Sequence, residues 1–147
     1  MSIVRWLACL LLALSFNVHA DTGVIGYVKT VKGDASVISA GQAAKAVVGT
    51  PVYVGSILKT GSGASLGITF KDNTVMSFGP ETELTVDEYL YAPNKGKRKL
   101  GASLAKGTLA YLSGAIAKIK PEGVTVKTPT GTIGVRGTHF VVRVEPD

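Results

Sequence analysis

The chain has 147 residues, with 16 Lys and Arg against 10 Asp and Glu, two His and one Cys. That length holds one ordinary domain, and a lone Cys excludes a disulfide framework. The formal net charge of +6 is modest and spread along the chain, which suits solubility and weak attraction to anionic surfaces.

Residues 1–20 read as a secretory signal peptide. Arg5 gives a short positive start, residues 6–16 are an apolar run, and Val18-His19-Ala20 ends in a small residue, so cleavage is expected after Ala20. The run falls short of the ~20 apolar residues of a stable membrane span, which disfavours the alternative of an uncleaved anchor. Cys9 leaves with this segment, and losing Arg5 lowers the net charge to +5. The remaining residues 21–147 are expected to fold as one domain in the periplasm, stabilised by core burial alone.

The apolar run 24–31 leads through Lys32-Gly33-Asp34 into residues 35–39, a pattern that predicts a hairpin turning at Gly33. Residues 41–45 read as a loop. Val47-Val48 and Val52-Tyr53-Val54 read as strand pieces, and Pro51 excludes a central uninterrupted strand there. Leu66, Ile68 and Phe70 alternate with polar or small residues, as do Met76 and Phe78 after Asp72-Asn73. A two-residue loop would put Met76 on the wrong face. A three-residue loop of Lys71, Asp72 and Asn73 pairs Ile68 with Met76 and Leu66 with Phe78, and needs Asn73 in the left-handed region. Further on, residues 84–91 continue as strand and residues 92–99 form a polar excursion. Residues 100–112 are extended, broken by Gly101 and Gly107, and residues 115–120 read as a short alternating strand. Pro121-Glu122-Gly123 turns the chain into residues 124–144, where β-branched ends flank Pro129, Gly131, Gly134 and Gly137. Gly there supplies positive φ or close backbone approach. Arg136 reads as a clamp on loop carbonyls, since its forked donors suit exposed acceptors.

No window carries a long apolar helical stripe. The fold expected is all-β, a compact sandwich or roll of short strands punctuated by Gly and Pro. A β-helix-like roll is the alternative, although no fixed repeat period is present.

Residues 128–142, TPTGTIGVRGTHFVV, resemble the C-terminal signature of FecR-type periplasmic domains. In that signature a Thr-Pro segment (Thr128, Pro129) leads through Gly134 to Arg136, Gly137, Thr138 and Phe140. Earlier pieces resemble the same family in order: Gly26-Tyr27-Val28 with Gly33, residues 54–61, residues 64–70 with Asp72-Asn73-Thr74, and Gly107-Thr108-Leu109. In FecR-type sensors the similar domain lies outside the inner membrane and relays the state of an outer-membrane transporter to a sigma factor. The 147 residues carry no sigma-binding region or mid-chain span, so the resemblance implies protein binding by the domain alone.

Catalytic constellations are sparse. His139 is the one His after residue 20, so a zinc site of His and Cys within one chain is excluded, and His139 reads as an ordinary strand residue. Asp87 and Glu88 are adjacent on a strand and face opposite ways, which rules out an acid/base pair, and Glu81 and Glu83 read as solvated. Gly131, Gly134 and Gly137 do not have phosphate-loop spacing. Tyr27, Tyr53, Tyr89, Tyr91 and Tyr111 are plausible sheet-face contacts, most of them core or half-buried. Lys95, Lys97, Arg98 and Lys99 form a basic loop that reads as solvated or as an anion contact. The expectation is therefore a non-enzymatic module without cofactor, nucleic acid or small-molecule substrate, binding an envelope protein. The competing reading is a binder of anionic envelope glycan or lipid through the basic loop.

Overall fold

A computed structural model describes residues 23–135 and 137–145. Among them are twelve strands and one α-helix, an all-β architecture. The strands are β1 (Val24–Lys32), β2 (Ala35–Ser39), β3 (Gln42–Lys45), β4 (Pro51–Tyr53), β5 (Ile57–Thr60) and β6 (Ser65–Phe70). They continue as β7 (Val75–Phe78), β8 (Glu83–Ala92), β9 (Lys97–Leu112), β10 (Val124–Thr128), β11 (Gly131–Gly134) and β12 (His139–Val144). The helix α1 is Ala115–Ile119, and single 3-10 turns occupy Pro93–Lys95 and Pro121–Gly123.

The strands form two layers that share the sixteen-residue β9. Its first half lies between β8 and β10 in the layer β3-β2-β5-β8-β9-β10-β11. Its second half lies between β7 and β12 in the layer β4-β1-β6-β7-β9-β12. All pairings are antiparallel except β9 with β10. The core fills the space between the layers, with Leu58, Leu84, Leu100 and Leu104 from one and Ile68, Phe70, Met76 and Leu109 from the other.

One end of this curled sheet is a corner where the chain repeatedly changes layer. It does so at β1–β2, β5–β6 and β7–β8, and within β9 at Gly107. Gly107 has φ +93°, and a Cβ on it would lie 2.2 Å from Thr82 Oγ1. Threonines stitch the corner: Thr60 Oγ1 donates to the Gly79 carbonyl at 2.6 Å, and Thr82 Oγ1 accepts the Thr108 N–H at 3.0 Å. Buried hydroxyls paired in this way avoid the desolvation penalty of an unmade bond.

The other end is closed by α1. Asp72, which is buried, accepts at Oδ2 from Thr74 Oγ1 at 2.7 Å and from the Ile116 N–H at 3.1 Å. Its Oδ1 accepts from Tyr89 Oη at 3.0 Å and from the Thr74 N–H at 3.3 Å. Four donors satisfy the buried carboxylate, so its role is structural. Phe70 stacks on Tyr89 with centroids 5.3 Å apart, tying the layers together beside it. Burial first, and then the neighbouring Asp72 charge, push the Tyr89 hydroxyl pKa far above the ordinary tyrosine range.

The three-residue loop is as the alternation predicts: Ile68 faces Met76, Leu66 faces Phe78, and Asn73 has φ +67°. Other local expectations are corrected. β1 and β2 do not pair with each other, because the turn at Gly33 crosses between layers and stacks on Ala64. Residues 42–45 form a strand, and Val47 and Val48 lie outside one. Residues 100–112 belong to one unbroken strand that begins at Lys97. Residues 115–119 are helical, not extended, because Asp72 supplies the acceptors their first N–H groups need: its carbonyl takes Ala115 N–H at 2.8 Å and its carboxylate takes Ile116 N–H. Pro51 sits in an edge strand, as its missing donor requires.

Candidate functional site: a cleft between two strand edges

Residues 124–144 supply β10, β11 and β12. β10 enters the first layer beside β9 because Val124 and Val126 are fully buried there, and Thr128-Pro129-Thr130 turns it into β11. Thr128 Oγ1 donates to the Gly131 carbonyl at 2.9 Å, an interaction that tightens this turn. The exposed Pro129 sits at its tip. β12 enters the second layer because Phe140, Val142 and Val144 alternate inward, while His139, Val141 and Arg143 point out. Phe140 stacks on the fully buried Tyr111 with centroids 4.8 Å apart. Among the described residues the Tyr111 hydroxyl has no partner of hydrogen-bonding geometry. Burial raises its pKa, against a smaller opposing pull from the Ser113 and Thr74 hydroxyls.

β11 and β12 follow each other in the chain like the arms of a hairpin, yet they do not pair. Among the described residues β11 pairs with β10 alone and β12 with β9 alone. A cleft of about 1010 Å³ opens between Gly134 and Val135 on one side and Phe140 and Val142 on the other. A second cleft of about 710 Å³ continues it between Thr130–Ile133 and Val142–Glu145. Ile133 and Val142 line both, so the two are one groove with an apolar floor, and along each wall runs a strand edge that no other described strand pairs.

The signature glycines behave differently from one another. Gly137 has φ +93°, and its carbonyl accepts Ser113 Oγ at 3.0 Å. The Thr138 carbonyl accepts the Ser113 N–H at 2.8 Å, so Gly137 and Thr138 dock the start of β12 on the end of β9. Gly131 and Gly134 have neither the positive φ nor the close internal approach that the sequence suggests. A Cβ at either would meet nothing within 4 Å among the described residues. Arg136 lies outside the described residues.

The basic loop is elsewhere, at the tip of the β8–β9 hairpin. Lys95 and Lys97 are exposed, Arg98 is half-buried, and Lys99 pairs with Glu88 at 3.2 Å. Of the tyrosines, Tyr89 and Tyr111 are buried, Tyr53 and Tyr91 half-buried and Tyr27 exposed, and none of the five lines the cleft. His139 is exposed opposite Leu112. Among the described residues, no three His, Cys, Asp or Glu side chains converge as a metal set would. The open groove is not legible in the sequence, because nothing local encodes the absence of a pairing between neighbouring strands.

No curated protein and no solved structure is detectably similar to this chain. A family model described as FecR protein matches residues 56–147, from the start of β5 through the whole groove. Gly26, Tyr27, Val28 and Gly33 fall before that span. The match covers more than half of the sequence and places this chain in the FecR family.

Proposed function

We propose that this chain is an exported, non-enzymatic signalling module that binds an envelope protein by accepting an extended segment of it in the β11–β12 groove. FecR membership supports the signalling context and an envelope address. Among the described residues no helix is long and apolar enough to cross a membrane.

The observation that carries the reading is the pairing of two free strand edges with glycines that the fold itself does not require. An incoming strand satisfies the exposed N–H and C=O groups of an edge, and alternate side chains drop into the groove onto Ile133, Phe140 and Val142. Glycine within a strand marks a site where another backbone approaches closely, and Gly131 and Gly134 stand on one wall of this groove.

A contact of this kind is apolar and backbone-mediated. It should persist at about 0.5 M salt, where the Debye length is only about 4 Å. The test places a photo-cross-linking residue at Thr132 or at Val141, which flank the groove, and at Lys32 as a remote control. Illumination in cells should join the groove positions, and not the control, to one envelope protein that survives a high-salt wash. Equal labelling at all three positions would refute the groove as the binding site.

A further inference from the structure

We infer that the α1 end of the domain is a docking surface for an anionic phospholipid membrane. The basic loop at Lys95, Lys97, Arg98 and Lys99 is isolated in sequence but not in the fold. Parallel pairing sets Val124 beside Leu100, which brings the preceding turn Pro121–Gly123 alongside the start of β9. The approach is close: a Cβ on Gly123 would lie 2.7 Å from the Arg98 carbonyl oxygen. Lys118 and Lys120, both exposed, therefore join the loop cations. The Asp72 backbone carbonyl anchors the start of α1, so the exposed Lys71 on the same turn extends the patch. Against these cations stand Glu88, already paired with Lys99, and Glu122. Asp72 is buried and its oxygens are occupied. Arg98 makes no ion pair, and its buried Nε has no hydrogen-bond partner among the described residues.

The corner end differs. There Lys32, Lys45, Lys59 and Lys106 are interspersed with Asp34, Glu81 and Glu83; Lys106 lies opposite Glu83, and Lys59 is 3.8 Å from it. The domain is thus electrostatically one-ended.

One further feature favours a membrane over a soluble polyanion. Ile119 is 59% exposed between Lys118 and Lys120, an arrangement that sets an apolar side chain at headgroup depth between cations.

Co-sedimentation of the exported protein with vesicles tests this. The vesicles are phosphatidylcholine alone, or phosphatidylcholine with one quarter phosphatidylglycerol, each at 0.05 M and 0.5 M salt. Binding is expected only to the anionic vesicles and only at low salt. Each neutralised cation should weaken it about fivefold, so Lys118→Gln with Lys120→Gln should lose more than tenfold. The corner pair Lys32→Gln with Lys45→Gln should bind like wild type, and Ile119→Ser should weaken binding with all charges retained. Unchanged thermal melting of the variants separates lost binding from lost folding. Equal binding to both vesicle types, equal loss from the corner pair, or retention only by a soluble polyanion such as dextran sulfate would each overturn the proposal.

Discussion

The rings of Tyr111 and Phe140 stack 4.8 Å apart at an interplanar angle of 21°. This contact fastens β12, the wall of the groove, to the strand that both layers share. Phe140→Ala should cost about 2 kcal/mol, less than a fully buried Phe because the ring is only half-buried. Urea melts measure this, and wild-type stability would show that β12 is held by its ladder alone.

The corner makes a sharper demand. Gly107 combines φ +93° with a Cβ position that would overlap Thr82 Oγ1, Cα and Cβ at 2.2 to 2.6 Å. Gly107→Ala is expected to destabilise by more than 2 kcal/mol, since strain and clash add. The same change at Gly41, which also has positive φ but open space around it, should cost only about 1 kcal/mol. Equal losses would mean that backbone strain, not the packing of the corner, sets the cost.

Asn73 at φ +67° closes the β6–β7 hairpin. Asn73→Gly should be neutral or mildly stabilising, and Asn73→Val should cost about 1–2 kcal/mol. Comparable melts for the two variants would contradict the left-handed conformation. This turn shows which parts of the fold the sequence discloses. Loop parity and two apolar rows define a register when both strands are neighbours in the chain and pair directly. Gly33 defeated the same reasoning, because a glycine that turns a hairpin and one that crosses between layers look alike. The helix at Ala115–Ile119 was hidden because the oxygen that caps it comes from Asp72, 44 residues before Ile116. The signature residues 128–140 were legible as a group. That their strands stand apart was not, since it depends on where β9 sends each half.

Alkaline pH offers an independent probe of the Tyr111 pocket. Below about pH 10 the hydroxyl is protonated in both the folded and the unfolded chain and contributes no pH dependence. Above that, the unfolded chain releases the proton while the folded pKa stays raised, so stability falls as pH rises toward the folded pKa, by at most about 1.4 kcal/mol per pH unit. Tyr111→Phe should be nearly neutral at pH 7, where the lost hydroxyl had no good partner. Its stability should then decline less steeply than wild type between about pH 10 and 11. Parallel curves would place the hydroxyl in contact with solvent.

The groove itself is tested most directly by filling it without disturbing the fold. A Cβ at Gly134 meets nothing within 4 Å, and a β-branched residue suits an edge strand, so Gly134→Val should melt at or slightly above the wild-type temperature. If β11 receives an incoming strand, the added side chain takes up groove space beside Phe140 and Val142 that the strand's own side chains need. Capture of the cross-linked envelope protein through Val141 should then fall at least tenfold with the fold intact. Undiminished capture by a stable Gly134→Val protein would contradict strand addition at this edge.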